Sequence, residues 1–208
     1  MNLQKLKNAE ARFLELYPQG FATPELDGRV KKHHVDRLVN FALSAFAPGT
    51  EDDAEATVEN MVKLVSRSSL VSVFEKPKFR DAVRAMTSQD HEVLAALLGQ
   101  LLHGDERMGF NGIAGMLAMY QSDKWPVVTA FRCYYHPETD LALKPTTVKK
   151  VIAFFELEGL RYTTHPIFEF YDRYRAAVNE MRAAVSPLCG PTGAHFSGFL
   201  MMAMEGSI

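Results

Sequence analysis

The feature that most constrains this fold is the spacing of its apolar residues, which recur every three or four positions along most of the chain. A helix with one buried face has this period, whereas a half-buried strand alternates. The densest apolar stripe consists of Val93, Leu94, Leu97, Leu98, Leu101 and Leu102. We therefore predict an all-α fold, an irregular globular bundle of eight to ten helices with at most one small two-stranded hairpin, and place the stripe on its central helix.

Cap and turn residues divide the chain into predicted helices. A strand remains possible for 127–135 because its β-branched start favours extended backbone, and 141–143 and 160–163 are short extended candidates. The segments between the predicted helices are short and indicate loops rather than domain boundaries, so we predict a single domain, residues 1–208. The helices are expected at 2–17, 24–46, 50–66, 68–86 with an end or kink at Pro77, 88–103 capped by Ser88 and closed by Gly104, 113–120, 127–135, 146–158, 167–185 and 192–204.

Composition and charge exclude several classes of protein. Apolar residues make up 47% and charged residues 23% of the chain, which is ordinary for a globular protein. The net charge of −2 is spread evenly, so a general attraction to nucleic acid or to an anionic membrane is not expected. With no apolar run long enough to span a bilayer and no signal-peptide pattern, we expect a cytoplasmic protein without a membrane partner. Cys133 and Cys189 are expected to be free, buried thiols.

The sequence contains no recognisable cofactor or metal motif. It has no phosphate-binding glycine loop, dinucleotide fingerprint, Gly-x-Ser-x-Gly or Cys-x-x-Cys, and its seven histidines are dispersed. Adjacent His33 and His34 would point about 100° apart on a helix and would not share one metal ion. A hydrogen-bonded pair of His33 with Asp36 is the simpler prediction. We expect neither a metal nor a cofactor.

A basic helix start is the main candidate for ligand binding. Unpaired N–H groups give a helix N-terminus partial positive charge, which suits a phosphate or carboxylate but makes lysines mildly unfavourable. The segment 144–150 places three lysines and two hydroxyls at such a start, where Thr146 or Thr147 is expected to be the cap. Basic stretches at 29–37 and 76–84 could extend this surface. The predicted anion-binding residues are Lys144, Thr146, Thr147, Lys149 and Lys150.

A glycine-rich segment predicts a tight turn formed by Gly109, Asn111, Gly112 and Gly115. Over residues 98–119 it resembles the helix-hairpin-helix of DNA glycosylase-like proteins, although Met108-Gly109-Phe110 replaces the usual hydrophobic-Pro-Gly start. The resemblance implies that backbone N–H groups approach a DNA phosphate and that an aspartate is catalytic, for which Asp140 is a nominal candidate. An ordinary helix–helix turn is the alternative.

Two further patterns lie in the second half of the chain. The segment 125–129, Trp-Pro-Val-Val-Thr, followed by His136-Pro137 and Lys144-Pro145, resembles a family of bacterial helical proteins to which no activity is assigned. Trp125 is predicted to be a packing anchor. In the polar loop that follows, His136 and Asp140 are weak candidates for general acid–base catalysis.

These features lead to three hypotheses about function. The first is a non-catalytic binding module that engages a protein partner or an anionic ligand. The second is a nucleic-acid-associated protein related to helix-hairpin-helix repair folds, which contacts phosphate through 144–150, although the net charge does not favour it. The third is an enzyme that uses the loop 134–147.

Overall fold

The computed structural model describes residues 1–26 and 35–208, and within these ranges the regular secondary structure is entirely helical, which confirms the all-α prediction. Four short 3₁₀ segments accompany the α-helices. None of the described helices is long and apolar enough to cross a bilayer. The ten described α-helices are α1 (Leu3–Leu16), α2 (Val35–Ala45), α3 (Ala54–Arg67), α4 (Glu75–Ala85), α5 (Ser88–His103), α6 (Glu106–Met119), α7 (Trp125–Tyr135), α8 (Pro145–Phe154), α9 (Phe168–Ala183) and α10 (Gly193–Met204).

The predicted helix 24–46 is only partly described. Its first residues form the 3₁₀ segment Pro24–Leu26, and its last part is α2. Residues 27–34 lie outside the described part of the chain, and with them His33, His34 and the basic residues at 29–32. The predicted pairing of His33 with Asp36 is therefore not tested.

Helix α5 lies at the centre of the bundle, as its apolar stripe predicts. It packs against α3, α6 and α7, and buries Leu94, Leu98, Leu101 and Leu102. Its N-cap is Thr87 rather than the predicted Ser88. The Thr87 hydroxyl accepts from the Asp90 N–H (3.2 Å), while the Asp90 carboxylate accepts from the Thr87 N–H (2.9 Å). The Thr87 hydroxyl and the Asp90 carboxylate thus pair with backbone N–H groups that have no partner within the first turn. Gly104 ends the helix as predicted.

The predicted turn at Gly109, Asn111, Gly112 and Gly115 is wrong, because all four residues lie inside α6. The chain reverses instead at Gly104–Asp105, where the Asp105 side chain caps α6. Two of the glycines permit close packing on α5: a Cβ at Gly109 would lie 2.2 Å from the Leu101 nitrogen, and one at Gly112 would lie 2.3 Å from a Leu97 methyl. Gly115 faces open space.

The second half of the chain follows the predictions more closely. Residues 127–135 belong to α7, so the helical alternative is correct, and 141–143 and 160–163 form no strand. Helix α8 differs from the prediction in its cap. It begins at Pro145 with Lys144 as N-cap, so neither Thr146 nor Thr147 is the cap. Proline suits this first helical position because its fixed φ matches the helix and its missing N–H leaves no donor unpaired.

Helix α1 packs against the C-terminal half of the protein. The Ser186 N–H donates to the Glu10 carboxylate (2.5 Å), and the rings of Phe13 and Phe199 meet edge to face at 5.3 Å. One cluster of buried apolar side chains includes residues from every described α-helix. This shared core is consistent with a single domain, which stays a prediction.

Candidate functional site

A cavity of about 260 Å³ lies between the start of α8 and one face of α10. Its wall is mainly apolar, with a few polar groups on α8 and α10. The apolar lining comprises Phe21, Leu26, Val35, Leu70, Ala142, Ala194, Gly198, Met201 and Met202, and the polar lining comprises Lys144, Thr147, His195, Ser197 and Glu205. An apolar concavity with a few convergent polar groups is the usual form of a small-molecule site.

Lys144 is the one lysine or arginine among the described residues that line this cavity. Its side chain is half-buried, and its ammonium makes a long hydrogen bond of 3.4 Å to the Ser69 carbonyl. Burial lowers the pKa of Lys144 because the charged form loses solvation, and the negative charge of Glu75 opposes this shift only in part. Lys144 is therefore a half-buried cation that forms no salt bridge with a described carboxylate.

The first turn of α8 adds further positive potential at the same place. No side chain caps this helix, and Thr147, in its first turn, lines the cavity. The Thr147 hydroxyl makes a weak 3.9 Å contact with the Met201 sulfur, so α8 and α10 meet across the cavity. An anion near Lys144 would be attracted both by the ammonium and by the helix N-terminus.

The structure brings together two of the five predicted anion-binding residues, Lys144 and Thr147. The other three, Thr146, Lys149 and Lys150, are exposed and do not line the cavity. Lys149 has turned to another face of α8, where its ammonium lies 4.7 Å from the centre of the Tyr162 ring.

Asp140 belongs to a separate, buried polar network. Its carboxylate is fully buried and accepts five hydrogen bonds. Arg132 donates two, from Nε (2.8 Å) and Nη2 (3.1 Å). Arg175 donates one (2.8 Å), and the hydroxyls of Tyr171 (2.5 Å) and Thr139 (2.8 Å) donate the others. This arrangement joins α7 and α9 through the loop between α7 and α8.

The network keeps Asp140 ionised. Burial alone would raise its pKa, but the hydrogen bonds and charge of Arg132, together with Tyr171 and the charge of Arg175, outweigh burial and lower the pKa to about 2. Glu106 completes the charge balance by accepting from Arg175 at 2.6 Å. With no exposed surface and five donors around it, the Asp140 carboxylate ties α7 to α9.

The other weak catalytic candidate, His136, is also engaged in the fold. Its Nε2 lies 3.1 Å from the Leu102 carbonyl oxygen, at the end of α5. The side chains of His136 and Asp140 thus serve different structural hydrogen bonds, and neither residue lines the cavity. The structure offers no catalytic arrangement of these two residues.

The described residues contain no group of three side chains that could hold a metal ion. Cys133 and Cys189 are free and buried, as predicted. Trp125 is a packing anchor, with its indole N–H donating to the Thr163 carbonyl (2.8 Å).

Most of the cavity could not be found from the sequence. The polar residues His195 and Ser197, inside an otherwise apolar helix, and Glu205 after it, are the only local signal from α10. The apolar wall draws on residues far apart in the chain, such as Phe21 and Leu70, which only the tertiary fold brings together.

Comparison of the chain with protein-family models, with curated proteins and with solved structures found no match. Both resemblances drawn from the sequence therefore remain expectations. The glycines of residues 109–115, on which the helix-hairpin-helix resemblance depends, lie in the interior of α6 and form no turn that could approach a phosphate. The nucleic-acid hypothesis stays a prediction, and the geometry of the cavity is the better starting point for function.

Proposed function

We propose that this protein is a non-catalytic binding module for a small organic anion with an apolar body, held in the cavity between α8 and α10. The observation that supports the proposal most is the half-buried ammonium of Lys144, whose one described hydrogen bond is long, in a mainly apolar cavity. A lysine in this position costs solvation, and no carboxylate among the described residues forms a salt bridge with it. A bound carboxylate or phosphate would supply that partner.

The remaining walls favour an anion that also carries apolar surface. The methionine, leucine and phenylalanine side chains that line the cavity would remain in contact with water if only a small inorganic ion were bound. An organic anion would cover them and neutralise Lys144 in one step. The uncapped start of α8 would stabilise the same negative charge, by roughly 0.3–1 kcal/mol.

We favour binding over catalysis because the side chains of the candidate catalytic residues, His136 and Asp140, already form hydrogen bonds within the fold. Asp140 accepts five hydrogen bonds within its buried network, and His136 is bonded to a carbonyl of α5. The cavity suggests a small ligand rather than a protein partner, because its half-buried lysine lies in a concave site and not on a flat surface.

The proposal can be tested by isothermal titration calorimetry with two carboxylates of different shape, decanoate and adamantane-1-carboxylate. We expect at least one to bind the native protein, and Lys144→Met to weaken that binding about tenfold or more, as for loss of a hydrogen bond to a charged group. The matched control is Lys150→Met, which removes an exposed lysine from the same helix outside the cavity and should leave binding unchanged.

Thermal unfolding of both variants would establish that they fold. Since methionine removes a partly desolvated charge, Lys144→Met should be at least as stable as the native protein. Absence of binding by both carboxylates, or equal binding by native protein and Lys144→Met, would refute the proposed function.

A further inference from the structure

The loop between α8 and α9 holds one histidine in a fixed orientation at the start of α7. The Nδ1 of His165 lies 2.6 Å from the carboxylate of Asp123, which precedes α7 in the chain. The indole N–H of Trp125 donates to the Thr163 carbonyl (2.8 Å), and the Thr163 hydroxyl donates to the His165 carbonyl oxygen (3.0 Å). These three hydrogen bonds position the imidazole relative to α7. None of the four residues lines the cavity described above, so this is a separate site.

The carboxylate of this pair is hidden, whereas the imidazole is open to solvent. The Asp123 side chain is 7% exposed and the His165 side chain 77% exposed. Asp123 also lies beside the N-terminus of α7, whose N–H groups stabilise a negative charge. Because an ionised carboxylate only accepts hydrogen bonds, Nδ1 carries the proton of the neutral ring. The lone pair that can form a new bond is then on Nε2.

Three other described histidines use Nε2 in the opposite way. In His91, His103 and His136 this atom lies 3.0, 2.8 and 3.1 Å from a main-chain carbonyl oxygen. A carbonyl also only accepts, so Nε2 carries the proton in these rings. The Nε2 of His165 forms no hydrogen bond within the described part of the chain. Its lone pair is therefore available to a reactant.

The charges around the ring suit an anionic reactant. The Lys124 ammonium lies 3.6 Å from the Asp123 oxygen that does not face His165, and its side chain is 42% exposed. A cation beside an exposed nucleophile attracts a phosphoryl group, which is itself negatively charged. The Asp123 carboxylate in turn stabilises the positive charge that the imidazole gains when Nε2 forms a bond. A ring this exposed suits a donor that approaches from solvent rather than a substrate enclosed in a pocket.

We propose that His165 is a phosphoryl-acceptor site, which is phosphorylated at Nε2 by a phosphoramidate donor. The Nε2 lone pair attacks the phosphorus, and the P–N bond of the donor, protonated on its nitrogen, breaks. The electron pair of that bond leaves with the amine, and the ring becomes a phosphoimidazolium whose Nδ1–H still donates to Asp123. Asp123 is a positioning residue, since it contacts the ring and not the phosphoryl group. The proposal is independent of what the cavity binds.

The experiment is incubation of the folded native protein with ammonium phosphoramidate. Mass spectrometry of peptides locates the phosphoryl group, and phosphorus NMR distinguishes Nε2-phosphohistidine from Nδ1-phosphohistidine. We expect His165 to react about tenfold or more faster than N-acetylhistidine under the same conditions, as for a charge-assisted hydrogen bond that strengthens in the transition state. The product should carry the phosphoryl group on Nε2, and His165→Gln should remove it.

Asp123→Asn tests the positioning role. An amide can either donate to Nδ1 or accept from it, so the ring is no longer held in one tautomer. We expect the reaction of His165 to slow about tenfold, as for loss of a charge-assisted hydrogen bond, and the Nδ1 product to appear beside the Nε2 product. The matched control is Glu55→Gln, which removes the exposed carboxylate that pairs with His91 (2.8 Å) and should leave the reaction of His165 unchanged.

Two results would overturn the proposal. One is a His165 that reacts no faster than N-acetylhistidine, and this comparison uses only the native protein. It therefore remains decisive even if circular dichroism shows that Asp123→Asn does not fold. The other is a folded Asp123→Asn protein that reacts at the native rate and gives only the Nε2 product, because the carboxylate would then have no effect on the ring.

Discussion

Replacing Asp140 by asparagine would remove one negative charge from a fully buried site while keeping the side chain's size and shape. The amide oxygen can replace the carboxylate oxygen that accepts from Arg132 Nε, Arg175 and Tyr171. The amide nitrogen then occupies the place of the other oxygen, which accepts from Arg132 Nη2. Two donors face each other there, and two buried guanidinium groups lose their shared counter-charge.

The expected loss of stability has two parts. The lowering of the Asp140 pKa from 3.8 to about 2 corresponds to about 2 kcal/mol of stabilisation of the ionised form. The unsatisfied donor pair adds roughly 1–2 kcal/mol. A total of about 3–4 kcal/mol agrees with the usual cost of breaking a buried ion pair. For a protein of this size it should lower Tm by roughly 6–16 °C.

The assay is urea unfolding of native protein and Asp140→Asn between pH 6 and pH 2, followed by circular dichroism. Because the folded-state pKa is below the unfolded one, the contribution of Asp140 is fully present above about pH 4 and is lost as pH falls towards 2. The difference in unfolding free energy between the two proteins should therefore narrow by about 2 kcal/mol over that range.

Asp81→Asn is the matched control, since Asp81 is exposed and, within the described part of the chain, its one ion pair is with neighbouring Arg80. It should change stability by less than about 0.5 kcal/mol. The reasoning is refuted if Asp140→Asn is as stable as the native protein at pH 6. A difference between the two proteins that does not change with pH would equally contradict the charge argument.

Three further predictions concern the packing, the thiols and the ligand site. Gly109→Ala should destabilise the protein by about 2 kcal/mol or more, because its Cβ would collide with the backbone of α5. Gly115→Ala, at an open helical position, should instead stabilise it by roughly 0.5–1 kcal/mol, and urea unfolding measures both effects. Burial raises the pKa of Cys133 to about 12 and that of Cys189 to about 11. Iodoacetamide at pH 8 should therefore label these thiols only after unfolding, and rapid labelling of the folded protein would contradict this prediction. Because burial lowers the pKa of Lys144, decanoate affinity should begin to fall at a pH below the ordinary lysine pKa of 10.5, as the ammonium loses its proton. Constant affinity up to pH 10.5, measured by calorimetry, would exclude Lys144 from binding.

The helices were predictable because apolar spacing and capping are local properties. The Leu94–Leu102 stripe predicted a central helix, and α5 occupies that place. Glycine was the main source of error. A glycine at a turn and a glycine at a close helix contact look the same in a sequence, and Gly109 is of the second kind because α5 lies against it.

The candidate site was predictable only where its residues are neighbours in the chain. Lys144 and Thr147 share one helix start and both line the cavity, whereas their predicted companions Lys149 and Lys150 are exposed outside it. The opposite wall, on α10, depends on how α8 and α10 approach each other. Likewise, nothing near Asp140 in the sequence shows that Tyr171 and Arg175 will surround it.

The packing of α1 has a consequence for synthesis on the ribosome. This helix is translated well before its partners, since Glu10 contacts Ser186, which lies 176 residues later, and Phe13 contacts Phe199. The part of its apolar face that packs on Phe199 stays uncovered until that residue has emerged, since a domain is completed only when its distant segments are available. Nascent chains arrested before residue 186 should accordingly leave α1 accessible to chaperones and proteases, whereas chains from which residue 199 has emerged should bury it.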